Sequence, residues 1–203
     1  MRLITIASLC LFTLFAQAAG VDRRIAVTID DLPWQRMATT SPEALRTRHA
    51  ALLEQLRLGG VPVIGFVNED KLEIDGVEQP ERVAMLEAWL DAGHTLGNPT
   101  YGHVDVHAVG IPAFEDAILR GERMLRPMLA KRGQTPEWFR HPYLRAGRST
   151  EDKAAITAFL AAHGYRTAAF TDNAHLARGA EVMRGFGRVE RSVGAWRSLV
   201  LGT

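Results

Sequence analysis

Four groups of polar residues stand after β-like runs and together hold the side chains that proton transfer and cation binding require. Asp30-Asp31 close the run Arg24-Ile25-Ala26-Val27-Thr28-Ile29, and Asn98 to His107 follow the short segment His94-Thr95-Leu96-Gly97. Arg140-His141-Pro142-Tyr143 follow Trp138-Phe139, and Asp172-Asn173 follow Tyr165-Arg166-Thr167-Ala168-Ala169-Phe170. Carboxylates and imidazoles accept protons and bind cations, and a guanidinium pairs with carboxylates. Each group alone has a plainer reading, because paired Asp is a common turn or cap and strand ends are polar in most proteins. It is their shared placement that points to one site.

The elements that must position them alternate in type. Ser41-Pro42 opens a helix with Leu45, Leu52, Leu53 and Leu56 at three- and four-residue spacings, and Gly59-Gly60 closes it. Val61 to Val67 reads as a second strand. A helix from about Pro80 to Gly93 carries Val83, Leu86, Trp89 and Leu90 on one face. A third spans about Pro112 to Lys131 with a kink expected at Pro127, and a fourth runs from Thr150 to Gly164 with Ile156, Phe159 and Leu160 inward. Repeated strand-helix units predict an α/β fold with a parallel sheet or a β/α barrel, since parallel strands need crossover connections. Such folds build their chemistry beyond the carboxyl ends of the strands, where all four groups fall.

With 203 residues, 24 Lys+Arg against 23 Asp+Glu and a formal charge of +1, the composition is that of one ordinary globular domain. The charges are interspersed, so no basic face is offered to nucleic acid. Met1-Arg2, the apolar run Leu3 to Phe15 and the small-x-small Ala16-Gln17-Ala18 read as a signal peptide over residues 1–18, cleaved after Ala18. The run is shorter than the ~20 residues that span a bilayer, so an exported, periplasmic or secreted protein without stable membrane insertion is expected. The single cysteine, Cys10, lies inside that run, which leaves the domain at 19–203 without a thiol.

In this order the four groups resemble the motifs of the polysaccharide deacetylase family, the NodB-homology or carbohydrate esterase type. Thr28-Ile29-Asp30-Asp31-Leu32-Pro33 is similar to its Thr-Phe-Asp-Asp-Gly-Pro. Gly93-His94-Thr95-Leu96-Gly97-Asn98-Pro99-Thr100-Tyr101-Gly102-His103 is similar to Gly-His-Glu-Leu-Gly-Asn-His-Thr-Tyr-Ser-His. Phe139-Arg140-His141-Pro142-Tyr143 matches Phe-Arg-x-Pro-Tyr, and Asp172 matches the acid of the fourth motif. The resemblance implies a NodB-like distorted (β/α) barrel and a metal-dependent hydrolase that removes N-acetyl or O-acetyl groups from carbohydrate polymers. It implies Asp31 and His103 as ligands of a divalent metal, Zn first, whose bound water becomes nucleophilic near neutral pH. Asp30 would be the base, Arg140 its partner, and the Tyr143 N–H would face the oxyanion, with Asp172 completing the catalytic set. Trp34, Pro142 and Tyr143 would meet the sugar.

Two departures bear on activity. Pro99 stands where the family's first ligand histidine belongs, and proline offers neither a side-chain lone pair nor a backbone N–H. His94 and His107 are the nearest replacements, although a loop histidine is more often solvated or hydrogen-bonded than a ligand. No histidine follows His175, so the family's closing Leu-x-x-His, which protonates the departing amine, has no match. The last ~30 residues are atypical, with five Gly and five Arg between 174 and 203, and a truncated or frame-shifted end and an incomplete barrel are expected. The competing class is a catalytically impaired, carbohydrate-binding relative without a complete metal site. A phosphoesterase on the same architecture would need a basic clamp beside Asp31, for which Arg140 is the single candidate read from the sequence.

Overall fold

The computed structural model describes residues 26–168. The signal peptide at 1–18, Asp172, His175, the atypical last ~30 residues and the closure of a barrel at the carboxyl end all lie outside the described residues.

The first strand, β1 (Val27–Leu32), leads into helix α1 (Pro42–Gly59). Ser41 caps that helix by accepting the Ala44 N–H at 3.3 Å, with Pro42 in the first turn, where its missing N–H costs nothing. Gly60 ends it at φ 60°, a left-handed conformation that glycine adopts without strain. Next come β2 (Val63–Val67), a 3-10 turn at Glu69–Leu72 and a small antiparallel hairpin, β3 (Glu73–Ile74) and β4 (Val77–Glu78). Helix α2 (Pro80–Asp91) and strand β5 (Thr95–Gly97) follow.

The strands β1, β2 and β5 are parallel, with Val27 opposite Val63 and Ile64 opposite Thr95. The sheet continues through Asn98, whose N–H donates to the Trp138 carbonyl at 2.8 Å while its own carbonyl accepts from Arg140 N–H at 3.1 Å. That joins β6 (Trp138–Phe139), which pairs in parallel with β7 (Arg166–Thr167). The order β1-β2-β5-β6-β7, with helices between, is the α/β arrangement expected from the alternating pattern. One core lies under β1 and β2 against α1 and α2, built on Leu45, Leu52, Val67, Leu86 and Trp89. A second joins Phe114, Ile118, Phe139, Ile156 and Leu160 beneath β6. No helix among the described residues is long and apolar enough to cross a membrane.

The expected single helix from Pro112 to Lys131 is instead broken. Short α3 (Val106–Val109) precedes α4 (Ile111–Arg120) and α5 (Leu125–Ala130), and the break falls at 121–124 rather than at Pro127. A Cβ at Gly121 would stand 2.5 Å from Asn98 Oδ1, so the chain passes too close to the sheet for any larger residue. The buried Glu69 carboxylate then takes the N–H groups of Met124 (3.1 Å) and Leu125 (2.7 Å), starting a new helix there. Pro127 thus sits in a first turn, where a proline is tolerated.

His49 of α1 is 4% exposed, its ring 6.4 Å from that of Trp89, and burial lowers its pKa to about 4. The unfolded chain takes up this proton near pH 6.5, so the folded state binds fewer protons between those values. The stability that neutral His49 contributes is complete above about pH 6.5 and is lost as pH falls toward 4, by about 3 kcal/mol in all. Urea unfolding at pH 7 and pH 4 should show the wild type losing about that much more than His49→Leu. Parallel losses in the two proteins would show that His49 does not carry the acid sensitivity.

Candidate active site

The cleft starts from β1. Thr28 and Asp30, two apart, share one face of the strand, and both meet Arg140. The Arg140 Nη1 lies 3.2 Å from Asp30 Oδ2, and Nη2 donates to Thr28 Oγ1 at 3.0 Å. The guanidinium also sits 4.5 Å from the centroid of the Phe66 ring, and the residue is 5% exposed. Burial pushes the Asp30 carboxyl above its ordinary value, and neighbouring Asp31 adds to this, while Arg140 and His103 pull the other way. Asp30 is therefore a carboxylate with raised affinity for a proton, held in one orientation.

Adjacent residues of a strand point to opposite faces, so two neighbouring acids need a special backbone to converge. The sequence places the exit from the strand at about Asp31, through Leu32-Pro33. The strand β1 does end at Leu32, and it also carries a bulge: Ile29 pairs with Gly65 but Leu32 with Val67, which leaves one extra residue on β1. Asp31 occupies it at φ 65° and turns back into the cleft. Lys71 holds it there, its ammonium 3.0 Å from Asp31 Oδ1 and 3.5 Å from the Asp31 carbonyl oxygen.

The segment after β5 is fixed by Asn98, which is fully buried. Its Nδ2 donates to the Ile118 carbonyl and lies 2.8 Å from Tyr165 Oη, and its Oδ1 accepts the Thr100 N–H at 2.7 Å. Tyr165 donates in turn to Glu122 at 2.7 Å. Gly102 N–H donates to Asn68 Oδ1 at 3.0 Å, which ties this segment to the loop carrying Lys71. Pro99 and His103 consequently face Asp30 and Asp31 across a cavity of about 310 Å³, closed on the far side by Arg140, His141 and Tyr143. The Tyr143 ring stands edge-on to His103 at 4.9 Å and is 60% exposed at the rim.

Of the residues singled out in the sequence, Asp30, Asp31, His103, Arg140 and Tyr143 line this one cavity. Pro142 is buried at the start of the turn Pro142–Leu144. Trp34 is 8% exposed and packs in the larger core, and it lines an adjoining cavity that shares Asp30 and Asp31 with the first; the more exposed ring at the cleft is that of Tyr143. Neither replacement histidine reaches the site as a donor. His94 is buried 4.9 Å from the Trp89 ring, and His107 is committed to the Gly147 carbonyl at 2.8 Å. Asn68, Asp70 and Lys71 have no place in the sequence reading, and His141 stands there only as part of its polar group, without a role. The first three follow the end of β2, the same placement that marked the other groups.

Among the described residues, the donors around Asp31 do not make up a three-ligand metal centre. Asp31 and His103 offer an oxygen and an imidazole, Pro99 offers nothing, and Asp31 already carries the Lys71 ammonium. A family model for polysaccharide deacetylase matches residues 18–170. The chain belongs to the polysaccharide deacetylase family. Similar solved structures include a family 4 carbohydrate esterase from Streptomyces lividans in complex with acetate, 20% identical over 72% of this chain and 62% of that one, with a TM-score of 0.51. A mutant CE4 family pseudoenzyme with restored enzymatic activity matches at 20% identity over 72% of this chain and 44% of that one, with a TM-score of 0.51. Peptidoglycan deacetylase PdaC from Bacillus subtilis matches at 17% identity over 72% and 57%, with a TM-score of 0.50. Such identities carry the fold alone, and this chain spans from 44% to 62% of the length of those three chains. No curated protein matches it.

Within a polysaccharide deacetylase fold, Arg140 is the counter-charge of Asp30. Arg140→Met keeps the buried stem and removes the charge, so the Asp30 carboxyl should titrate still higher. A carboxyl-carbon NMR titration reads this directly. An unchanged Asp30 midpoint would show that the guanidinium does not hold that carboxylate.

Proposed function

We propose that the protein binds acetylated carbohydrate chains in the cleft between Asp30 and Tyr143, and that its chemistry is that of a deacetylase left one metal donor short at Pro99. The observation that carries this reading is the cavity itself, where an oriented acid, Asp30 with Arg140, faces the carboxylate of Asp31, the imidazole of His103 and a proline. Asp30 is the proton acceptor for an attacking water, Arg140 orients it, and the open Tyr143 ring offers an apolar face to a pyranose. The family's substrates and the acetate-bound esterase support an N-acetyl or O-acetyl group as the target. The pattern of residues 1–18 supports export to a compartment where such polymers lie.

The alternative, a hydrolase fully active as it stands, is separated by one substitution. Pro99→His restores an imidazole whose neighbours are already in place. Calorimetric Zn titration should show affinity at least roughly tenfold higher, and acetate release from N-acetylglucosamine oligomers should rise with it. The wild type should bind the same oligomers with little release. Equal Zn affinity and equal acetate release in the two proteins would refute a defect at Pro99, and absence of oligomer binding in both would refute the carbohydrate reading.

A further inference from the structure

The charge that a divalent ion would bring to Asp31 is already supplied from within the chain. The Lys71 ammonium contacts both the carboxylate (3.0 Å) and the carbonyl oxygen (3.5 Å) of the bulged residue. The two side chains are only 19% and 23% exposed, so water screens the pair weakly. Lys71 is also not free to drift as a surface lysine is. Its N–H donates to the Asn68 carbonyl at 3.1 Å, and its carbonyl accepts from Arg82 at 2.7 Å. Asn68 in turn donates to the Leu32 carbonyl at 3.2 Å, on the far side of the bulge. The ammonium is thus delivered to Asp31 by a loop fastened to the same strand.

We propose that Lys71 is the resident cation of this site: it pairs with Asp31 in the role a metal ion would otherwise fill, and it competes with divalent metal for that carboxylate. A metal and an ammonium cannot share one carboxylate at contact distance without strong mutual repulsion. Loss of the imidazole at position 99 and occupation of Asp31 by Lys71 are then two separate obstacles to metal binding. The inference rests on the reading of Asp31 as a donor position, and the experiment separates the two.

Zn affinity is measured by calorimetry in four full-length proteins: wild type, Lys71→Met, Pro99→His and the double variant, each checked for folding by circular dichroism. Lys71→Met should tighten Zn binding roughly tenfold in both backgrounds, the sign expected when a competing positive charge is removed. If Pro99→His tightens binding while Lys71→Met does not in either background, the resident-cation role is overturned and the donor reading stands. If Pro99→His has no effect in either background, the donor reading fails instead. Should Lys71→Met not fold, the Pro99→His protein supplies a test without altering the lysine. Zn should then expose Lys71 to acetic anhydride, read by peptide mapping, because metal displaces the ammonium from Asp31. Unchanged labelling of Lys71 in a protein that demonstrably binds Zn would overturn the proposal.

Discussion

The cleft depends on one buried guanidinium. Arg140 leaves the end of β6 and must reach β1, which lies beyond β5 and β2 in the sheet, and it does so over the face of Phe66. A buried charge is stable only where it is paired and hydrogen-bonded. Thr28 and Asp30 meet that demand because alternate residues of β1 share a face, so the pairing fixes the direction of β1 as well as the orientation of Asp30. The bond joins residues 110 positions apart and closes the cleft across the sheet.

The second constraint is local. A non-glycine residue at positive φ carries a backbone cost, and Asp31, His103, Tyr143 and Leu144 all adopt it around one cavity, as does Thr100 next to the lining Pro99. Each is held by bonds from elsewhere in the fold or by a turn. Lys71 holds Oδ1 and the backbone carbonyl oxygen of Asp31, and Asn98 accepts the Thr100 N–H. Concentrated strain of this kind is affordable at a site and wasteful elsewhere, which supports a shared functional origin for these residues even with Pro99 among them.

What the sequence showed and what it hid have physical reasons. The strands of the main sheet, α1, α2 and the helix at Thr150–Ala162 were legible because apolar periodicity and caps such as Ser41 and Gly60 are local signals, whereas the two-residue strands β3 and β4 are too short to show a pattern. The polar groups after β1, β5 and β6 were legible because parallel sheets place chemistry at those ends. The bulge was not, since nothing in Thr28-Ile29-Asp30-Asp31 announces an extra residue until β2 sets the register. The helix break at 121–124 was hidden for a similar reason: Gly121 answers to the approach of Asn98, and Glu69 lies 55 residues before Met124. Asn68-Glu69-Asp70-Lys71 looks like a solvated charge run, yet three of its four side chains make bonds that build the site or its support.

Glu69 also bears on the order in which the protein assembles. Its carboxylate is fully buried, and its three contacts are with backbone N–H groups at the start of α5, which exist in that position only once α4 has ended and the chain has turned. Dehydrating a carboxylate without those donors is costly, so the segment from Asn68 to Lys71 has no stable resting place until the second half of the sheet has brought α4 and α5 in. The loop that carries Lys71 is therefore coupled to the start of α5: Glu69 keeps its donors only while that helix end is in place, and Leu125, Met128 and Leu129 of the same helix pack into the core under β1 and β2. The cleft and the first core thus share one support.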